Sequence, residues 1–133
     1  MIEAIETNLP CVAQPFSWAI RCAGVIYTAH GPMRTDGSVE AGTIEDQAHL
    51  TFQNLKKTLT AAGASMGDVA QVLIYLVDVA DVAAMDNIYR QYFKKPYPNR
   101  STVIVNALVV KGMKIEIVAY AADSNPPTQY ARG

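Results

Sequence analysis

The sequence predicts an α+β fold: a single mixed β-sheet with two helices packed on one face, in the order β-β-α-β-α-β-β. Three observations predict it. Two segments repeat apolar residues at the three- and four-residue spacing of an amphipathic helix. Five others are short, rich in β-branched and aromatic residues, and bounded by turn-forming residues. Each helix has one apolar stripe to bury, so both fit on one side of one sheet.

In chain order, residues 1–15 show little periodicity and contain two prolines, which predicts irregular chain with at most a short edge strand. "SWAIRCAG" (17–24) and "VIYTAHG" (25–31) read as two strands turned at Gly24, and Asp36-Gly37 marks a further turn. Thr43 and Asp46 stand at capping-box spacing. Ile44, Ala48, Phe52, Leu55, Leu59 and Ala62 form the stripe of the first helix, and Gly63 suits its left-handed stop. The β-branched run "DVAQVLIYLVDV" (68–79) fits a central strand.

Asp81 is placed to cap a second helix with Val82, Met85, Ile88, Tyr89 and Tyr92 on one side. "KKPYPN" (94–99) breaks it, since proline lacks the N–H a helix needs. "STVIVNAL" (101–108) and "MKIEIVAYAA" (113–122) close the sheet. Residues 1–133 are read as one domain, with 122–133 a loose tail. Both helices cover one face and no layer remains for the other, which points to self-association.

Composition narrows the function. At 133 residues, half apolar and 17% charged, the chain can bury one core and is not a disordered segment. A net charge of −1 argues mildly against a nucleic-acid or anionic-membrane partner, which would select a basic surface, and leaves room only for a local patch. The pairs Lys56-Lys57 and Lys94-Lys95 read as solvated helix faces. No apolar run approaches the ~18 residues of a membrane span, and the acidic start "MIEAIETNLP" lacks a signal-peptide n-region. Cys11 and Cys22 have no metal-ligand spacing and read as reduced thiols of a cytoplasmic protein. With no zinc, P-loop or dinucleotide motif, an enzyme here is expected to need neither cofactor nor metal.

Two residues invite chemistry. Arg100, in "YPNRSTVIVNA" (97–107), is a permanent charge where a turn becomes an apolar strand. It either ends a strand in solvent or aims a planar two-point fork at a carboxylate, with the backbone of Ser101 and Thr102 beside it. Glu116 sits in mid-strand, on the face shared with Lys114, Val118 and Tyr120; such an acid is costly unless that face is wet or paired. His30 and His49 have no carboxylate at catalytic spacing and read as structural or surface residues. Cys22 reads as a small core residue, and no G-x-S-x-G elbow is present.

"YPNRS" followed by "KIEI", in this element order, resembles the RidA/YjgF family of small imine/enamine deaminases. The likeness runs from "QPFSWAI" (14–20) to "EIVAYAA" (116–122). It implies a chorismate-mutase-like fold assembled as a homotrimer, with clefts between subunits. It also implies hydrolysis of reactive 2-imino acids or enamines to 2-keto acids and ammonia. Arg100 would then clamp the substrate carboxylate, Thr102 would contribute main-chain contacts, and Glu116 would handle the water or the departing nitrogen.

By the same resemblance, the segments holding Phe16, Trp18, His30 and Gly31 would line the pocket, and they depart from the family pattern. Phe16 stands where many members have tyrosine, Trp18 replaces a smaller polar residue, and His30 lies in the "S-G-Q-x-P" type segment. These changes suggest a pocket for a larger or aromatic-derived imine. Two other functions remain open: an RNA-cleaving or translation-inhibiting protein, which the charge balance does not favour, and a non-catalytic binder of small carboxylates such as keto acids.

Overall fold

The computed structural model describes residues 1–124. Its elements are β1 (Glu3–Ala4), β2 (Ala19–Cys22), β3 (Val25–His30), α1 (Ile44–Ala61), β4 (Val69–Leu76), α2 (Val82–Tyr92), β5 (Asn99–Ile104) and β6 (Ile115–Ala122). They form one six-stranded mixed sheet in the order β1-β2-β3-β6-β4-β5. Only β4 and β5 pair in parallel, joined by the α2 crossover; α1 makes the same kind of connection from β3 to β4, but β6 lies between those two strands. The predicted fold class and element order hold, with β1 supplying the short edge strand.

Local signals explain most boundaries. Ala23 and Gly24 both adopt positive φ (51° and 82°), the backbone of a two-residue hairpin between β2 and β3. Thr43 Oγ1 accepts from the Asp46 N–H at 3.2 Å while Asp46 Oδ2 accepts from the Thr43 N–H at 3.1 Å, so the capping box is closed. Gly63 stops α1 at φ 81°. The whole predicted stripe of α1 is buried, from Ile44 to Ala62, against Ile26, Ile74, Ile115 and Ile117 of the sheet. Met85, Ile88 and Tyr89 complete the core from α2, while Val82 and Tyr92 pack at its margin.

Several sequence expectations need correction. Asp81 makes no side-chain cap and has helical backbone; the capping is done one turn earlier, where Asp78 Oδ1 accepts from the Ala80 N–H at 2.9 Å. β5 starts at Asn99, two residues before the expected start, and ends at Ile104 rather than residue 108, though the Val105 N–H still reaches the Leu76 carbonyl at 2.8 Å. Lys94 and Lys95 are exposed but follow α2 rather than lie on it. Of the two readings of His30, structural or surface, burial selects the first: it is 1% exposed. Residue 122 closes β6, and Asp123 is anchored, its carboxylate accepting from Arg21 Nε at 2.9 Å. The rest of the expected loose tail lies outside the described residues.

The helices cover one face of the sheet. On the other, Tyr27 and Tyr120 meet edge to face at 5.5 Å, and Tyr27 and Val103 remain more than 40% exposed. Glu116 belongs to this uncovered face, because its strand neighbours Ile115 and Ile117 are both fully buried under the helices.

Candidate active site

The candidate residues fall into two groups. The first surrounds a cavity of about 420 Å³ where β3 ends and β6 begins. Phe16, Trp18, His30, Gly31, Met113 and Glu116 are among the residues lining it. The segment before β2 is held there by the Trp18 indole N–H, which donates to the Pro10 carbonyl at 2.9 Å. Phe16 meets Trp18 edge to face at 4.9 Å, and Trp18 stacks on His30 at 5.7 Å with the planes 11° apart. Gly31 packs closely on β6: a Cβ there would come within 2.5 Å of the Met113 methyl carbon, which would have to swing aside.

Electrostatically this cavity is simple. Glu116 is the only acid lining it, and no lysine or arginine does so among the described residues. Desolvation raises the Glu116 pKa above the usual carboxylate range. The raised value makes the carboxylate a stronger base than a solvated one, which suits proton transfer. The same shift carries a stability cost. A raised folded-state pKa means the ionised carboxylate is disfavoured in the fold, so stability is lost as pH rises through that value. Glu116→Gln is therefore expected to melt at or above the wild-type temperature at pH 7; a clearly lower melting temperature would contradict this account of Glu116.

His30 is neutral for the same physical reason acting on a base. Burial lowers its pKa from 6.5 to about 3, and neither ring nitrogen has a hydrogen-bond partner among the described residues. The folded value lies below the unfolded one, so the unfolded chain takes up the proton first. Stability attributable to neutral His30 is complete above about pH 6.5 and is lost as pH falls towards 3. Chemical denaturation of His30→Phe is expected to lose this dependence, worth at most about 1.4 kcal/mol per pH unit. An acid limb as steep as the wild type's would exclude His30 as its source.

The second group surrounds a smaller cavity of about 230 Å³ between α2 and the start of β5. Arg100 lies over the Tyr89 ring, 4.8 Å from its centroid, and its Nη2 is 2.8 Å from Asp86 Oδ1. Tyr89 is itself fixed by a 4.4 Å stack on Phe93 and an edge contact with Phe52. Desolvation pushes the Tyr89 phenol up to about 12, so it stays neutral beside the guanidinium. β5 is the outer strand of the sheet, so Ser101 and Thr102 lie along an edge with main-chain groups left free of the ladder. Ser101 is exposed, and the Thr102 hydroxyl is buried without a partner.

Arg100 and Glu116 do not meet within one chain. Glu116 is level with Tyr75 of β4, which is level with Val103 of β5. Arg100 is three residues earlier and two strands away, on the helix-covered side, so the two Cα atoms are roughly 14 Å apart. His49 is in neither group: its Nδ1 is 3.1 Å from the Tyr92 hydroxyl, a contact between the two helices.

Asp86, Tyr89 and Tyr97 were not expected at the site. Asp86, Tyr89 and Arg90 follow helical spacing, which placed them on α2, but nothing in the pattern tied them to a strand start ten residues later.

This fold, with an arginine at one sheet edge and a desolvated glutamate in its centre, defines a small α+β protein of the type the sequence resembled. The chain belongs to the Endoribonuclease L-PSP family, the RidA/YjgF group, whose profile matches residues 6–123. It is 36% identical over 120 residues to "Protein mmf2, mitochondrial" of Schizosaccharomyces pombe, covering 89% of this chain and 94% of that one. It is 31% identical over 129 residues to the Escherichia coli protein named "Putative reactive intermediate deaminase TdcF", covering 93% and 99%. The crystal structure of E. coli TdcF with bound serine superposes with a TM-score of 0.83 at 31% identity, over 92% of this chain and 99% of that one. No helix among the described residues is long and apolar enough to cross a membrane.

Proposed function

We propose that this protein is a cofactor-independent deaminase that hydrolyses reactive 2-imino acids, or their enamine tautomers, to 2-keto acids and ammonia. The observation that carries the reading is Glu116: a desolvated carboxyl, among the described residues the only acid in an otherwise largely apolar, aromatic-walled cavity. Water adds to the C=N carbon as Glu116 takes one of its protons. Passing that proton to nitrogen gives the neutral carbinolamine, which collapses as Glu116 takes the hydroxyl proton and hands it to nitrogen, so that the C=O bond forms and ammonia leaves. Because imines hydrolyse readily, positioning supplies much of the gain, and Arg100 provides it by holding the substrate carboxylate.

Arg100 and Glu116 can act on one substrate only if they come from different copies. The reading therefore requires a homotrimer with clefts between subunits, in which Arg100 of one copy faces the Glu116 cavity of the next. The apolar walls contributed by Phe16 and Trp18 fit a bulky or aromatic imine side chain, with His30 stacked behind Trp18 as a neutral ring.

The test generates short-lived imines from aliphatic and aromatic amino acids and follows keto-acid release. Wild type is expected to accelerate release and Glu116→Gln to lose most of the acceleration. Mixing Arg100→Ala with Glu116→Gln subunits before assembly should restore activity, since some clefts then combine two intact halves. Unaccelerated release across all imines, with keto acids still bound, would instead favour a carboxylate-binding protein.

A further inference from the structure

We propose that Asp86 is an internal carboxylate that competes with the substrate's for Arg100 and so keeps substrate and product binding weak. The inference rests on the role of Arg100 given above and adds a residue that sets affinity. Nη2 is the nitrogen shared by both two-point edges of a guanidinium, and Asp86 Oδ1 stands 2.8 Å from it. A ligand carboxylate arriving at either edge therefore meets a second negative charge within a few ångströms.

The Asp86 contact is close but not aligned as a hydrogen bond, so it is held by charge rather than by directional geometry. Both side chains keep about a quarter of their surface exposed (26% and 27%), which leaves the guanidinium reachable and the pair open to exchange. Asp86 is not needed to place Arg100, because the Tyr89 ring, packed on Phe52 and Phe93, already supports the guanidinium from below. The other cation lining this cavity, Arg90, is turned to its own helix, donating to Asn87 Oδ1 at 3.1 Å, and does not offset Asp86.

An imine and its keto-acid product carry the same carboxylate. A tight clamp would therefore retain the product as firmly as the substrate. A competing carboxylate loosens both and leaves discrimination to the Glu116 cavity.

The experiment uses the full chain and pyruvate as the binding probe, measured by calorimetry, alongside kinetics of imine hydrolysis. Asp86→Asn keeps an oxygen beside Nη2 and removes the charge, and Asp86→Ser serves as a second variant in case Asn perturbs folding. Each is expected to bind pyruvate roughly tenfold more tightly and to lower KM in parallel, with kcat not rising in proportion. A gain in affinity is not a result that structural damage produces. Unchanged or weaker pyruvate binding in both variants would overturn the proposal, showing that Asp86 only braces Arg100. Pyruvate binding reads the competition even if no imine is hydrolysed, and binding indifferent to Arg100→Ala would instead sink the clamp itself.

Discussion

Arg100→Ala is expected to lower kcat/KM for 2-imino acids by about a hundredfold or more, the largest effect of any single change at the site. The guanidinium offers two parallel donors and a charge that persists at any working pH, and alanine replaces neither. Arg100→Lys should lose most of the activity as well, because an ammonium is a point charge and cannot reproduce the planar fork or its stack on Tyr89. Folding should suffer far less. Asp86, the charge left behind, keeps 27% of its side-chain surface in water. Thermal melts close to wild type together with collapsed turnover would fit a binding role. Full activity in the lysine variant would remove the case for a two-point clamp.

The second large effect concerns stability. Gln47 is fully buried in α1 and makes three hydrogen bonds: its Nε2 donates to the carbonyls of Glu40 and Gly112, both at 2.8 Å, and its Oε1 accepts from the Lys114 N–H at 2.7 Å. One side chain thus ties the loop before α1 and the start of β6 to the helix. Gln47→Leu keeps the volume but strands three backbone groups, at about 1–3 kcal/mol each where water cannot reach them. The expected loss is about 3–5 kcal/mol, a large part of the roughly 10 kcal/mol typical of such a domain. Urea denaturation would measure it, and a loss below 1 kcal/mol would mean water replaces the lost partners. Because Lys114 precedes Glu116 by two residues, turnover should fall in whatever fraction remains folded.

Most of the architecture was legible in the residues because its causes are local. The stripe from Ile44 to Ala62, the capping box of Thr43 and Asp46, and the left-handed stop at Gly63 each express short-range physics. The end of β5 was not, because Val105 prolongs the β-branched run and the pattern cannot show that the neighbouring strand β4 has already ended at Leu76. Asp81 was misread because two acids, Asp78 and Asp81, stand just before α2 and pattern cannot say which carboxylate turns back on the chain. Arg100, Glu116 and the Phe16–Trp18–His30 wall were nameable through resemblance. That Arg100 and Glu116 lie on opposite faces of the sheet follows only from strand register, which also puts His30, level with Ile117, on the covered face. The sealing of His30 needed coordinates too, since burial depends on how Trp18 folds over it.

Strand β6 is the last of the sheet to be synthesised, yet it lies between β3 and β4. Its first partner, Val25–His30, leaves the ribosome about ninety residues ahead of it, so the sheet stays divided until the final strand arrives. Until then β3 and β4 each hold an open edge, and α1 and α2 have only half a surface to rest on. Such long-range closure makes for slow folding and ties solubility during synthesis to the speed of that last step. Glu116 rides on this strand, so the residue proposed to do the chemistry arrives with the segment that completes the fold. Truncated products lacking β6 would carry neither.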